Sequence, residues 1–369
     1  MGKKKSTHAR ALRYVRKNWL SFLFIFVGLL SAATILLVPK AQQKVEDEKP
    51  AELVNCDGDK NLDFDCWTEH FTALVQQQSV KAAMDDIKSR YTSNGYLRGE
   101  CHQVTHVIGR AAVKSGMSLG SAYQQGDSYC ASGYYHGAVE EIAKSMGKDT
   151  FIAQVDSVCQ DIIKQSKYSI NHHNCTHGIG HGLMLITEDE LFESINACDS
   201  IVDSWSKSSC LGGVFMENVI ADPSTNPTHA TKYLKPEDPM YPCNSVEQTF
   251  KEPCYLIQTA YALRQTGQDF AKVFDMCGAV EEDMRDTCWQ SLGRDASGNS
   301  VSNISITRER CELGKTIEAQ MNCAIGAAKD FVYHYADDAE AYKLCATFSE
   351  QEVENTCNAT TASYIKSFR

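Results

Sequence analysis

Apolar residues recur at helical spacing along most of this chain, from about residue 56 to its end. They form segments of 10 to 16 residues separated by short polar turns, for example residues 79–91, 151–164 and 339–348. Residues three and four apart share one face of a helix, so each segment predicts an amphipathic helix with one buried side. Strand-like alternation bounded by turn signals is scarce. The pattern therefore predicts an all-α fold.

The beginning of the chain has a different pattern, in which seven Lys and Arg residues precede an uncharged apolar run over residues 19–38. A helix of that length, at about 1.5 Å per residue, spans the hydrocarbon layer of a membrane. A cleaved signal peptide is the alternative, but its apolar core is shorter, about 7 to 15 residues. We expect a cytoplasmic basic tail at 1–18, a transmembrane signal anchor at 19–38, a stalk at 39–55 and an extracytoplasmic domain at 56–369.

The sixteen cysteines all lie after the apolar run, and none of them forms a C-x-x-C motif. An even number of cysteines in an extracytoplasmic domain predicts a disulfide framework, because thiols stay oxidised outside the cytoplasm. The lack of C-x-x-C argues against zinc ribbons and thioredoxin-type redox chemistry. The predicted disulfides are Cys159/Cys175, Cys198/Cys210, Cys243/Cys254, Cys277/Cys288, Cys311/Cys323 and Cys345/Cys357. For the other four cysteines the spacing favours Cys56/Cys66 and Cys101/Cys130. The sequence alone does not determine how these four are paired.

The last four cysteine pairs begin 34 residues apart, at positions 243, 277, 311 and 345. A constant period of this length is typical of a helical-hairpin repeat. In each repeat one helix ends near the first cysteine and the next begins near the second, so that a disulfide staples the hairpin. Such hairpins stack into an α-solenoid with a concave face. The organisation resembles tetratricopeptide and Sel1-like repeats in architecture only, since neither family's residue pattern is present, and no function follows from it.

Histidines are concentrated in one part of the chain, with seven of the 11 between residues 102 and 181. Two pairs, His102/His106 and His177/His181, are each four residues apart. On a helix this spacing places both imidazoles on one face, about 6 Å apart. It is the arrangement by which one helix offers two ligands to one metal ion.

A position in the repeat links further side chains to these pairs. His136, His181 and Met216 each lie six residues after the second cysteine of a pair. Equivalent positions of stacked repeats are neighbours on the concave face, so we expect these three side chains to lie together. Glu140 lies four residues after His136, and Glu217 follows Met216, which places two carboxylates at the same site.

The cluster predicts a site for a transition-metal ion, either zinc, iron or copper, that activates water or dioxygen. Met216 would favour copper if it coordinates. Glu140 and Glu217 are predicted to act as ligands or as the general base. Glycines beside the cysteines and histidines, such as Gly137 and Gly213, predict close helix packing or close approach of a ligand. The predicted metal ligands are His102, His106, His136, His177 and His181.

Two alternatives remain open. The histidines could form a packed polar seam, and the domain could be a noncatalytic scaffold that binds a protein, peptide or glycan on its concave face. We expect His172 and His173 to lie in a turn and to face solvent. After residue 40 the chain has 28 Lys and Arg against 47 Asp and Glu, a formal charge of −19. Such a charge argues against nucleic acid and anionic membrane surfaces as partners.

Overall fold

Helices are the only regular secondary structure in the part of the chain that the structure describes. The computed structural model describes residues 53–221, 231–300, 302–335 and 337–368. No strand occurs in these ranges, so the prediction of an all-α fold is confirmed.

The predicted basic tail at 1–18 and signal anchor at 19–38 lie outside the described residues, as does most of the stalk at 39–55. Within the described ranges, no helix combines the length and the apolar character that crossing a membrane requires.

Eighteen α-helices are found in the described residues, joined by short turns. In chain order they are α1 (Phe64–Gln77), α2 (Val80–Tyr91), α3 (Gly95–Gly99), α4 (Cys101–Lys114), α5 (Leu119–Gln125), α6 (Gly133–Met146), α7 (Lys148–Ala153), α8 (Gln160–Gln165), α9 (Ile170–Ile186), α10 (Leu191–Asp199), α11 (Ser204–Ile220), α12 (Gln248–Gln265), α13 (Phe270–Ala279), α14 (Arg285–Gly298), α15 (Ile304–Cys311), α16 (Ile317–Tyr335), α17 (Ala339–Cys345) and α18 (Gln351–Tyr364). Single 3₁₀ turns lie at Gly58–Lys60, Glu282–Met284 and Ile365–Phe368.

Nine long helices form a continuous row, in which each packs beside the next in chain order. We call them the inner helices: α1, α4, α6, α9, α11, α12, α14, α16 and α18. The shorter helices between them pack against their other side, as in a stack of helical hairpins. This agrees with the hairpin repeat that the cysteine period predicts.

Eight disulfides connect the row, and no cysteine of the described residues is free. They include every predicted pair, and the first four cysteines pair as Cys56–Cys66 and Cys101–Cys130. Most of them join an inner helix to the segment that precedes it. Cys101–Cys130 differs, because it joins the first residue of α4 to the turn directly before α6.

Glycines let the helices that carry the histidines approach each other closely. A Cβ atom on Gly137 of α6 would lie 2.0 Å from the backbone oxygen of His106 on α4. A Cβ atom on Gly213 of α11 would lie 2.0 Å from the backbone oxygen of His177 on α9. No real side chain tolerates such a distance, so close helix packing explains these two glycines.

The row of inner helices bends round until its C-terminal part meets its N-terminal part. The hydroxyl of Tyr333 on α16 donates to the side-chain oxygen of Asn174 on α9 at 3.1 Å, across 159 residues of sequence. A cavity of about 400 Å³ lies inside the bend and is lined from α6 to α18. The concave face that the repeat predicts is therefore the wall of a cavity that is partly open to solvent.

Candidate metal centre

Three consecutive inner helices bring the predicted histidines together, and the next one, α11, carries Glu217. His102 and His106 lie on α4, His136 on α6, and His177 and His181 on α9. All are buried except His102, which is half-buried. Their rings form a continuous group, with centroids 4.6 Å apart for His102 and His106 and 4.8 Å apart for His136 and His181. The sequence expectation that these imidazoles converge is therefore met by the geometry.

Local capping fixes where the histidine-bearing helix α9 and its neighbour α11 begin. The Ser169 side chain accepts a hydrogen bond from the backbone N–H of His172, which starts α9. The Asp203 side chain accepts one from the backbone N–H of Ser206 at 2.9 Å, which starts α11. Such caps satisfy amides that the helix itself leaves unpaired. Because each cap fixes where its helix begins, it also determines which later residues of that helix face the site.

The hydrogen bonds of His102 and His106 determine which nitrogens carry protons. The Nδ1 atom of His102 lies 3.0 Å from the backbone oxygen of Cys130, and Nδ1 of His106 lies 2.6 Å from Oε1 of Glu140. Both oxygens only accept, so each Nδ1 is the donor. A neutral imidazole has one N–H, so in the neutral form of each ring Nε2 holds a lone pair. These two atoms face each other at 3.0 Å.

His181 repeats this arrangement from the next helix along the row. Its Nδ1 lies 2.7 Å from Oε2 of Glu217 on α11, so Nδ1 donates there as well. Among the described residues, the buried Nε2 of His181 has no hydrogen-bond partner, and neither nitrogen of His136 has one. Unpaired buried polar atoms cost about 1–3 kcal/mol each, so such a group of them in a native site requires an explanation.

Two overlapping sets of side chains have the distances of a metal site. In each set the candidate ligand atoms all lie within 4.8 Å of one another. The first contains His102, His136 and His181, and the second contains His106, Glu140 and His181. His181 belongs to both, so the two sets describe one cluster.

Glu140 lies behind His106 and is held from two sides. Its Oε1 accepts from His106, and its Oε2 accepts from Arg110 at 2.5 Å. Burial alone would raise the pKa of this carboxyl, but the nearby His106 and Arg110 lower it below its usual value. Glu140 is therefore a carboxylate at neutral pH, and both of its oxygens are engaged.

Burial also keeps His102, His136 and His177 neutral. It lowers the pKa of His102 and His136 well below the usual value, and the neighbouring histidines add to the effect. The pKa of His177 is lowered for the same reasons, with burial as the largest cause. Neutral imidazole is the form that binds metal ions.

His177 lies at the edge of the cluster, next to a sulfur atom. Its Nε2 is 3.4 Å from Sδ of Met216, and its ring centroid is 4.8 Å from that of His136. Among the described residues, Nδ1 of His177 has no hydrogen-bond partner. Both His177 and Met216 line the cavity.

The expectation that His172 and His173 face solvent is wrong. Both lie in the first turn of α9, His172 is fully buried, and their rings contact the Ser206 and Ser209 hydroxyls at 2.8 and 2.9 Å. His173 also lines the cavity, and burial lowers its pKa to about 4. The N-cap Ser169 is the signal in the sequence that starts α9 before these histidines rather than after them.

The repeat position six residues after the second cysteine rings the cavity. His136 occupies it on α6 and lines the cavity, as do the side chains at this position on α11, α12, α14 and α16, whereas His181 on α9 does not. Besides His136 they are Met216, Ala260, Arg294 and Lys329. At this one repeat position the cavity wall therefore changes from imidazole to thioether, methyl and finally cation.

Comparison with known proteins finds no family model, no curated protein and no solved structure that matches this chain.

Proposed function

We propose that this domain binds a transition-metal ion through His102, His106, His136 and His181. The observation that carries the proposal is the hydrogen bonding of the cluster. Three imidazoles donate their Nδ1–H to a carbonyl or carboxylate oxygen, the Nε2 atoms of His102 and His106 lie 3.0 Å apart, and the buried Nε2 of His181 has no hydrogen-bond partner among the described residues. Metal-binding histidines use their second nitrogen in the same way, to fix the ring and increase its basicity.

The distances support one shared ion. Two nitrogens that bind one ion at about 2.0–2.1 Å lie about 2.8–3.4 Å apart for angles between 90° and 110°. The 3.0 Å between Nε2 of His102 and Nε2 of His106 falls in this range. A donor set made of imidazoles suits zinc, copper or iron.

In this proposal the two carboxylates orient the ligands. Glu140 holds His106, Glu217 holds His181, and the Cys130 backbone oxygen holds His102. Glu140 has no free oxygen for a second task, since Arg110 occupies the other one. Its role as a general base, which the sequence suggested, is therefore the less favoured assignment for this residue.

The cavity next to the cluster supports an enzymatic role. A bound ion polarises a substrate oxygen or lowers the pKa of a water molecule. His136 and His177 line the cavity, so a molecule inside it would meet the cluster. A volume of about 400 Å³ is that of a small-molecule site, which favours a small substrate over a protein, peptide or glycan partner.

We further propose that the domain lies outside the cytoplasm and is anchored by residues 19–38. Eight disulfides support an oxidising compartment. The basic residues before the apolar run support a cytoplasmic N-terminus.

The test is the metal content of the full-length chain, purified without chelator, loaded in turn with zinc, iron(II) and copper(II), and measured by mass spectrometry. We expect one ion per chain for at least one metal, and its loss from the double variant His106→Ala/His181→Ala. His334→Ala removes a histidine of α16 outside the cluster and should keep the ion.

Stoichiometric metal in none of the three loadings would overturn the proposal. It would mean that a proton, rather than a metal ion, lies between the His102 and His106 rings. Metal retained by the double variant would also overturn it, because the ion would then be bound elsewhere.

A further inference from the structure

The cavity beside the histidine cluster has the size and the lining of a small-molecule site. Its volume is about 400 Å³, and apolar side chains from α11 and α12 form much of the wall. They include Met216, Val219, Leu256, Ile257 and Ala260. Small-molecule sites are typically about 300–1,000 Å³, mostly apolar, with a few polar groups that fix the ligand's orientation.

The charged groups of the wall carry an excess of positive charge. The wall contains three basic side chains and two acidic ones. The basic ones are Arg264, Arg294 and Lys329, and the acidic ones are Asp295 and Asp330. The chain after residue 40, in contrast, has 28 basic against 47 acidic residues. A cationic cavity inside an acidic chain selects for anions.

Arg294 does not account for this excess, because its charge is matched and its position is fixed. Its guanidinium donates to Oδ1 of Asp295 at 2.5 Å and to the backbone oxygen of Leu256 at 2.8 Å. Arg264 donates to the backbone oxygen of Val219 at 2.6 Å.

Lys329 is different, since no carboxylate of the described residues forms an ion pair with its ammonium group. Among the described residues its hydrogen-bond partner is a neutral amide, the Oε1 atom of Gln290, at 3.0 Å. An ammonium group has three N–H donors, so two remain for a ligand. Burial lowers the pKa of Lys329, and the charge of Glu252 partly opposes this decrease. An anion in the cavity would offset the free-energy cost of burying the ammonium charge.

We propose that the cavity binds a small organic carboxylate, with the carboxylate on Lys329 and an apolar body against the wall between Met216 and Ala260. The other end of such a molecule faces His136 and His177, at the cluster. Its role as the substrate rests on the proposed function, whereas its binding does not.

The experiment is calorimetric titration of the full-length chain with two carboxylates, 3-phenylpropionate and octanoate. The matched neutral and cationic probes are 3-phenylpropanamide and 3-phenylpropylamine. A hydrogen bond between two charged groups stabilises a complex more than one to a neutral group does. We therefore expect at least one carboxylate to bind at least about tenfold more tightly than the neutral or the cationic probe.

Substitutions in the wall then locate the bound molecule. Lys329→Met keeps the length of the side chain and should weaken carboxylate binding about tenfold, and Lys329→Arg should restore it. Ala260→Phe fills the apolar part of the cavity and should weaken all the probes together. The inference is overturned if neither carboxylate binds, if the amide binds as tightly as the acid, or if Lys329→Met has no effect.

The double variant His106→Ala/His181→Ala separates this inference from the proposed function, because neither residue lines the cavity. We expect it to lose the metal ion and to keep its affinity for the carboxylate. A parent chain that holds no metal in any loading but still binds the carboxylate through Lys329 would contradict the proposed function alone. A chain with metal that fails to bind either carboxylate would contradict the inference alone.

Discussion

The Nε2 atoms of His102 and His106 lie 3.0 Å apart, while the opposite nitrogen of each ring donates to an oxygen atom. With both rings neutral, the Cys130 carbonyl and the Glu140 carboxylate hold two lone pairs face to face. Such an arrangement is unfavourable unless a cation lies between the rings. The metal proposal follows from this pair, and His136 and His181 extend it to four imidazoles.

The orienting role of Glu140 predicts a graded effect of its removal. Glu140→Gln keeps an acceptor for His106 but removes the charge, so the ring is held less firmly and is a weaker base. We expect metal affinity to fall about 10–100-fold while the number of ions at saturation stays the same. Competition with a chelator of known affinity measures this.

Glu141→Gln is the matched control for that prediction, because it removes the next carboxylate on the same helix. It should leave the affinity unchanged. Complete loss of the ion from Glu140→Gln would instead make Glu140 a ligand, and an unchanged affinity would deny it any part in the site.

Close helix packing predicts that Gly137→Ala destabilises the domain. The new methyl group would lie 2.0 Å from the backbone oxygen of His106, so α4 and α6 must separate. Overpacking of this kind costs about 1–3 kcal/mol and sometimes more. Thermal unfolding under oxidising conditions should show a lower midpoint, and metal affinity should fall with it.

Gly120→Ala provides the comparison, since a Cβ atom there has no neighbour within 4 Å. Alanine favours a helix over glycine by about 1 kcal/mol, so this variant should be as stable as the parent or more so. Equal midpoints for Gly137→Ala and the parent would contradict the close packing of α4 on α6.

The Cys101–Cys130 disulfide connects stability to the site, because the Cys130 carbonyl is the acceptor for His102. Replacing both cysteines by serine should lower the unfolding midpoint and also weaken metal binding. Replacing Cys345 and Cys357 by serine should lower the free energy of unfolding by about 3 kcal/mol, the value for a loop of that length. It should leave metal affinity unchanged. Equal effects of the two double variants on metal affinity would contradict the role given to the Cys130 carbonyl.

The regular spacing of the disulfides explains why part of this site could be predicted from the sequence. A disulfide near the start of each inner helix holds the helices in similar rotations, so the position six residues after the cysteine faces the cavity in α6, α11, α12, α14 and α16. The cysteine spacing alone therefore assigns His136, Met216 and Lys329 to one surface. The i, i+4 spacing of His102 and His106 identifies the ligand pair from the same helical geometry.

Other features of the site depend on tertiary structure that no local pattern records. The bend that brings Tyr333 to Asn174 is a sum of small rotations over many repeats, so the sequence predicted an open concave face rather than a cavity. The carbonyl that orients His102 belongs to Cys130, 28 residues away, and a backbone acceptor leaves no trace in residue identities. For this reason the sequence suggested catalytic carboxylates where the geometry favours orienting ones.

Asp330 predicts a pH dependence of stability. Burial raises its pKa from 3.8 to about 6, against the opposing effects of the Ser297 hydroxyl and Arg294. The folded chain therefore holds this proton more tightly than the unfolded chain does. The resulting stabilisation is fully present below pH about 4 and is lost as the pH rises through about 6.

Asp330→Asn removes this dependence, so its unfolding midpoint relative to that of the parent should rise between pH 4 and pH 7. Asp161→Asn, at a side chain that is 90% exposed, is the control and should show no such trend. A difference between Asp330→Asn and the parent that stays constant over this range would contradict the raised pKa.

X-ray absorption at the edge of the bound metal tests the central claim most directly, because it counts imidazole ligands. For the metal-loaded full-length chain we predict at least three imidazole nitrogens at about 2.0–2.1 Å for zinc. The His136→Ala or His181→Ala variant should lose one of them. A shell made only of oxygen atoms, or an imidazole count unchanged in both variants, would contradict the assignment of the cluster as the metal centre.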